Sequence, residues 1–318
     1  MNSAAAPGAA VPARFLGTGS ALGPEVQANE EIAERLATTP EWIERRTGIE
    51  ARRRGGTTSS LATEAAVAAL EDAGIDGSDI GVVVVATCTP ELVFPSVASA
   101  VAGGTGARGA TFDVNGACAG FVHALASALG WSRMDGRPAL VVGADTLTQV
   151  VDPDQRSTAV LFGDGAGALV VQADEASPGG LLALEGATDP TARDILRCDR
   201  GAHMHMDGPA VFDFAVEAGS QSVAEVVRRA GLAPDDVDLL VPHQSNERIM
   251  DAVAERVGLD PARVVSTLRR TGNTSSGTIP HALATSRAEG RVNEGDLVVL
   301  CGYGAGMTRA AALLRWAE

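Results

Sequence analysis

The chain has 318 residues, 45% hydrophobic and 20% charged, which excludes a disordered chain and allows one large layered unit or two ordinary domains. A formal net charge of −15 excludes a general nucleic-acid binder, which needs a basic face. Aromatic residues make up only 3%, so the core has to be built from Ala, Val and Leu.

In chain order, Met1 to Ala13 is rich in Ala, Pro and Gly and lacks a basic region ahead of a long apolar run, so a loose tail is expected there rather than a signal peptide. Gly17-Thr18-Gly19 lacks the GxGxxG spacing of a dinucleotide fingerprint. Arg45, Arg46, Arg52, Arg53 and Arg54 form the one basic cluster, which is either a solvated face or a polyanion site. Residues 59–73 have a helical pattern stopped by Gly74, followed by an acidic turn and a continuous apolar strand over 82–85. Helix 120–131 and strand 139–142 come next, and Asp174 to Gly180 has the composition of a loop.

The second part repeats the order. Helix 211–230 is stopped by Gly231, and an acidic turn leads to strand 239–241, helix 246–257 and strand 297–300. Gly163-Asp164-Gly165-Ala166-Gly167 is echoed by Gly302-Tyr303-Gly304-Ala305-Gly306. Matching units in matching order point to one α/β fold used twice, with halves at 14–172 and 173–318 and sheets buried on both faces.

Four cysteines (Cys88, Cys118, Cys198 and Cys301) lack CxxC spacing, which fits a reducing compartment and neither a zinc ribbon nor a disulfide framework. Cys198, His203 and His205 match no standard zinc spacing, so no metal is expected. No apolar run reaches membrane-span length, and a cytoplasmic protein that binds neither membrane nor nucleic acid is expected.

Three small-residue turns carry the candidate chemistry. Asp113-Val114-Asn115-Gly116-Ala117-Cys118 runs from a strand into a helix, placing Cys118 near a helix N-terminus, where partial positive charge favours thiolate. A Cys among Ala and Gly is also an ordinary small core residue. His243 directly follows the buried strand 239–241, where α/β folds place functional groups. Asn273 lies in a polar turn before Pro280, where it could equally be turn chemistry. Together the three suit acyl transfer through a soft nucleophile, with two uncharged donors for a thioester enolate.

Along nearly all its length from Arg14, the chain resembles the ketoacyl-ACP synthase III family of thiolase-fold condensing enzymes. The resemblance is carried by Asn115-Gly116-Ala117-Cys118-Ala119-Gly120-Phe121, His243-Gln244-Ser245-Asn246-Glu247-Arg248-Ile249 and Gly272-Asn273-Thr274-Ser275-Ser276-Gly277. Phe162 to Ala168, Glu41-Trp42-Ile43 and Arg46-Thr47-Gly48-Ile49 add to it. It implies an α/β thiolase fold of duplicated halves in a layered α-β-α-β-α core. It also implies decarboxylative Claisen condensation of an acyl-CoA primer with a malonyl thioester, in fatty-acid initiation or polyketide priming.

By this resemblance Cys118 carries the acyl group, and His243 with Asn273 activates the malonyl thioester. The oxyanion hole maps to the N–H groups of Cys118 and Ala305. Coenzyme A maps to Trp42 and Arg156 around the adenine, Arg46 near the phosphates and Arg248 at the tunnel mouth. The acyl pocket maps to Cys88, Leu147, Phe162 and Met204, with Phe94 reaching across the interface of a homodimer. No bound cofactor is implied, acyl-CoA being a substrate.

Asp213 and Glu255 stand where the family commonly has basic residues that dock an acidic acyl carrier protein, and Arg309 stands where many members have Trp. These departures favour a dedicated carrier protein, or a malonyl unit that is not on the generic one. An alternative is a related acyltransferase moving the acyl group from Cys118 to a hydroxyl or amine, with His243 as general base. A papain-like hydrolase shares the Cys, His, Asn order but places its Cys near the N-terminus beside an aromatic residue.

Overall fold

The computed structural model describes residues 10–318. Nine strands form the sheet system: β1 (Val11–Leu22), β2 (Val82–Ala86), β3 (Ala110–Val114), β4 (Ala139–Thr146), β5 (Asp164–Ala173), β6 (Gly180–Thr188), β7 (Leu239–Pro242), β8 (Leu297–Gly304) and β9 (Thr308–Arg315). Their order is β7-β8-β9-β6-β1-β5-β4-β2-β3. β1 and β6 touch only through the pairs Val11↔Leu181 and Pro12↔Gly180, a seam between two sheets. On either side of that seam the pairing repeats. β2 is parallel to β4, which is antiparallel to β5, and β5 is antiparallel to β1. Likewise β7 is parallel to β8, β8 is antiparallel to β9, and β9 is antiparallel to β6.

Alternation within the strands produces the layers. Val82, Val84, Val298 and Leu300 face a central layer formed by the helices at Gly120–Asp135 and Thr278–Ala288. Val83 and Val85 face the helices at Thr58–Ala73 and Val97–Thr105, while Val299 and Cys301 face those at Gly208–Arg229 and Glu247–Val257. The result is the expected helix–sheet–helix–sheet–helix stack, with β2, β4, β7 and β8 buried on both faces and β3 and the end of β6 only partly covered.

The glycines of Gly17-Thr18-Gly19 serve this packing. A Cβ on Gly17 would come within 2.4 Å of Ala69 O, and one on Gly19 within 2.2 Å of Ala65 O. The alanine-lined helix can therefore lie directly on β1.

One boundary differs from expectation. Val11 to Ala13, assigned to a loose tail, belong to β1: the backbone N–H of Ala13 donates to Gly179 O at 3.1 Å, and the seam pairs fix Val11 and Pro12. Proline is tolerated there because the seam demands little of its missing N–H. The rest of that tail, Met1 to Ala9, lies outside the described residues. Among the described residues no helix is long and apolar enough to cross a membrane.

Candidate active site

Cys118 sits in a single 3-10 turn, Ala117–Ala119, that feeds the central helix Gly120–Asp135. Ala117 takes φ 46°, so the turn is tight enough to force a non-glycine residue into the left-handed region. β8 passes directly behind the turn. A Cβ on Gly304 would lie 3.0 Å from both Cys118 N and Cys118 Cβ, so any side chain there would press on the turn. Ala305 follows it and lines a cavity together with Cys118.

The state of the thiol departs from expectation. Burial pushes Cys118 up to about 12, with the Asp145 carboxylate adding to the rise, while the Ser275 hydroxyl and the Cys118 backbone N–H pull it down. The loss of water outweighs these two hydrogen bonds, so the resting group is a thiol.

His243 follows β7 and is buried, its ring edge-on to Tyr303 with centroids 5.6 Å apart. Burial lowers it to about 3, so it is a neutral imidazole at physiological pH. Its Nδ1 lies 2.7 Å from Thr278 Oγ1. Asn273 is buried, and its Oδ1 accepts from the Ser275 backbone N–H at 2.8 Å. With the oxygen engaged, the amide nitrogen is the group left to donate.

Two cavities meet at Cys118. One, of about 410 Å³, is lined by Cys118, His243 and Asn273 and runs outward past Trp42, Arg46 and Arg248. The other, of about 670 Å³, lies beyond the thiol and is lined by Cys88, Leu147, Phe162 and Met204. Phe94 is not in that lining; it is 84% exposed. Arg156 stacks on Trp42 with its guanidinium 4.8 Å from the ring centroid, and it also donates to Ala37 O at 2.8 Å. The pair expected to sandwich a purine is thus closed on itself, and Arg156 has to lift for a ring to enter.

The arginine cluster divides. Arg52 is fully buried and donates to Asn29 Oδ1 at 2.7 Å and Val160 O at 3.0 Å, while Arg53 donates to Gly23 O at 2.7 Å. Both brace the fold. Only Arg46 of the cluster lines the outer cavity.

Three supporting residues stand outside the candidate trio. Ser275 places Oγ 3.4 Å from Cys118 Sγ and 3.8 Å from Cys88 Sγ. Thr278 carries the contact to His243. Asp145, fully buried at the end of β4, accepts from Thr87 Oγ1 at 3.0 Å, Cys88 N at 2.8 Å, Thr89 N at 3.1 Å and Ser276 N at 3.0 Å, among others. Ser275 and Thr278 could have been suspected from their place in the Asn273 turn. Asp145 could not, because its role depends on loops brought together only by folding.

Family models described as 3-oxoacyl-[acyl-carrier-protein (ACP)] synthase III and its C-terminal region match residues 112–190 and 227–316. The beta-ketoacyl-[acyl-carrier-protein] synthase III of Rhodobacter capsulatus is 45% identical over 316 residues, covering 94% of this chain and 98% of that protein. The chain belongs to the beta-ketoacyl-acyl-carrier-protein synthase III family.

The crystal structure of the 3-oxoacyl-[acyl-carrier-protein] synthase III from Aquifex aeolicus VF5 superposes with a TM-score of 0.93 at 36% identity, covering 96% of this chain and 100% of that one. The priming beta-ketosynthase of the R1128 polyketide biosynthetic pathway gives a TM-score of 0.90 at 35% identity over 99% of each chain. The fold is accordingly the thiolase fold, and the chain is an acyltransferase of the condensing type. Its reaction class is acyl-CoA-primed decarboxylative condensation, in fatty-acid initiation or polyketide priming.

Proposed function

We propose that Cys118 accepts the primer acyl group from coenzyme A and that His243 and Asn273 then activate a malonyl thioester in the same pocket. The observation that carries this is the convergence of all three side chains on one cavity. In the first half-reaction the Cys118 sulfur bonds to the acyl carbon, the bond from that carbon to the coenzyme sulfur breaks, and the thiol proton ends on the departing coenzyme A. In the second, the malonyl carboxylate leaves as carbon dioxide and its bonding pair forms an enolate. The enolate carbon attacks the acyl group and expels the Cys118 sulfur as a thiolate, which takes a proton from solvent to restore the resting thiol. Neutral donors suit that enolate, since a carboxylate beside it would oppose the developing charge.

The Cys118 and Ala305 backbone N–H groups are assigned to the acyl oxygen. Trp42, Arg46, Arg156 and Arg248 are assigned to coenzyme A, with an arginine lifting off an indole to admit the adenine. Cys88, Leu147, Phe162 and Met204 are assigned to the primer chain. The exposed Phe94 is assigned to the partner's pocket in a cytoplasmic homodimer, and the malonyl donor to a dedicated acyl carrier protein or coenzyme A. No bound cofactor takes part in this scheme.

Intact-mass analysis after exposure to a panel of acyl-CoAs tests the central claim. An acyl adduct on the wild type that is absent from Cys118→Ala is expected. An adduct that survives in Cys118→Ala, or none in either protein with any acyl-CoA, overturns it.

A further inference from the structure

The imidazole of His243 is buried and neutral, so its two ring nitrogens carry one proton between them. Only the tautomer with that proton on Nε2 can donate to a substrate oxygen from the side of the ring opposite Nδ1. Some neighbour must therefore offer Nδ1 a proton rather than take one. The hydrogen-bonding neighbour found at Nδ1 is the Thr278 hydroxyl, at 2.7 Å.

That hydroxyl has one proton and two acceptors within reach. Besides Nδ1 it lies 2.8 Å from Ser275 O, the usual back-bond of a Thr in the first turn of a helix. If the proton goes to Ser275 O, the Thr oxygen can only accept from Nδ1–H, and Nε2 is left as a lone pair. If it goes to Nδ1, Nε2 keeps its proton. The direction of one buried hydroxyl thus decides whether the ring is a donor or a base. Thr278 is itself 2% exposed, so water does not compete for it.

We propose that Thr278 is a positioning residue whose hydroxyl donates to His243 Nδ1 and so holds the imidazole as the Nε2–H tautomer required for the malonyl half-reaction. The proposal rests on the reading that His243 serves that half-reaction. It follows from the reaction class: a condensing enzyme needs a donor at the enolate oxygen, whereas transfer of the acyl group to a hydroxyl needs a base.

The test compares Thr278→Val and Thr278→Ser with the wild type in separate assays of acyl loading and of malonyl-thioester decarboxylation, with His243→Ala as reference. Valine keeps the shape and removes the hydroxyl, whereas serine keeps the hydroxyl. Thr278→Val is expected to load Cys118 at the wild-type rate and to lose about 10- to 100-fold in decarboxylation, the range found when the hydrogen-bond partner of a metal-bound histidine is removed. Thr278→Ser is expected to recover most of it. Nitrogen-15 chemical shifts should show His243 as the Nε2–H tautomer in the wild type and as a mixture in Thr278→Val.

A wild-type Nδ1–H tautomer overturns the proposal, as does a valine variant whose loading falls as far as its decarboxylation. Full decarboxylation by His243→Ala would instead overturn the underlying reading of His243. The two failures are therefore distinguishable.

Discussion

In the amino-terminal half the strand Val82–Ala86 runs out into Thr87 and Cys88, and Cys88 Sγ donates to the buried Asp145 at 3.3 Å. In the carboxyl-terminal half the strand in the matching place, Leu239–Pro242, runs out into His243, whose ring rests on Thr278. The turns that open the two central helices correspond in the same way: one bears Cys118, the other Asn273 and Ser275. Duplication supplied two equivalent pairs of positions facing each other across the central layer. One pair holds thiols, and the other holds an imidazole and an amide. On the proposed reading both half-reactions take place over one sulfur, with the acceptor of the acyl group and the donors for the enolate coming from opposite halves.

Asp145 ties the Cys88 loop to the Asn273 turn, and removing it should have the largest effect on the fold. It is fully buried and accepts from the Cys88 loop on one side and from Ser276, in the Asn273 turn, on the other. Asp145→Ala would strand several buried donors, each costing about 1–3 kcal/mol. A loss of at least about 3 kcal/mol in denaturant unfolding is expected, with acyl loading and decarboxylation both impaired. Loss of loading alone, with stability retained, would show that the carboxylate belongs to the cysteine half and does not couple the two.

Asn273→Ala should separate the halves by function. Loading of Cys118 is expected to continue, while malonyl decarboxylation falls by roughly 100-fold, as loss of one oxyanion donor typically does. Equal losses in single-turnover loading and in decarboxylation would break the division of labour.

The duplicated layered fold was legible because it rests on periodicity: apolar runs such as Val82 to Val85 alternate with helices that stop at Gly74 and Gly231. The trio was legible because Cys118, His243 and Asn273 each stand on a small-residue turn in a specific motif. Local pattern failed where an outcome depends on the balance of distant groups. A helix N-terminus alone predicts a thiolate, yet burial against the other half reverses that sign at Cys118. The run from Arg52 to Arg54 looks like surface charge, yet Arg52 is enclosed by Asn29 and Val160, residues far away in sequence. The pairing of Val11 with Leu181 is likewise invisible without the second sheet.

The raised Cys118 predicts how loading depends on pH. Its thiolate fraction grows about tenfold per pH unit at any pH well below the folded-state value, so the pre-steady-state loading rate should climb from pH 6 to 9 without a plateau. His243, lowered by burial, stays neutral over the same range, so decarboxylation by a preloaded enzyme should be flat. The same burial has a cost in acid. The unfolded imidazole takes up a proton as pH drops below about 6.5, whereas the folded one does so only near its lowered value. Stability should therefore decline between those limits, by about 2 kcal/mol at pH 5 for His243. A loading rate that levels off near neutrality would show that the turn does hold a thiolate once substrate is bound.

The smallest expected effect lies at the mouth of the outer cavity, which residues of both halves line. Asp213 lines that mouth and is exposed, and Glu255 is exposed on the neighbouring helix Glu247–Val257. Arg256 is paired with Glu217 at 2.8 Å, which removes one of the nearby cations. Arg248, stacked over Phe212 at 5.2 Å, and the exposed Arg46 remain. An acidic carrier would thus meet carboxylates with little unpaired positive charge, and like charges across an interface slow encounter more than they change the bound state. Lys at both 213 and 255 should therefore raise kcat/KM for a generic acidic malonyl-carrier by about tenfold at low ionic strength, with the gain shrinking as salt screens it. Malonyl-CoA, assigned above to Trp42 and Arg46 rather than to this rim, should be used equally well by both proteins. If the wild type already takes the generic carrier as fast as the double variant at low salt, the acidic rim does not select the donor, and the cations that remain at the mouth suffice to receive it.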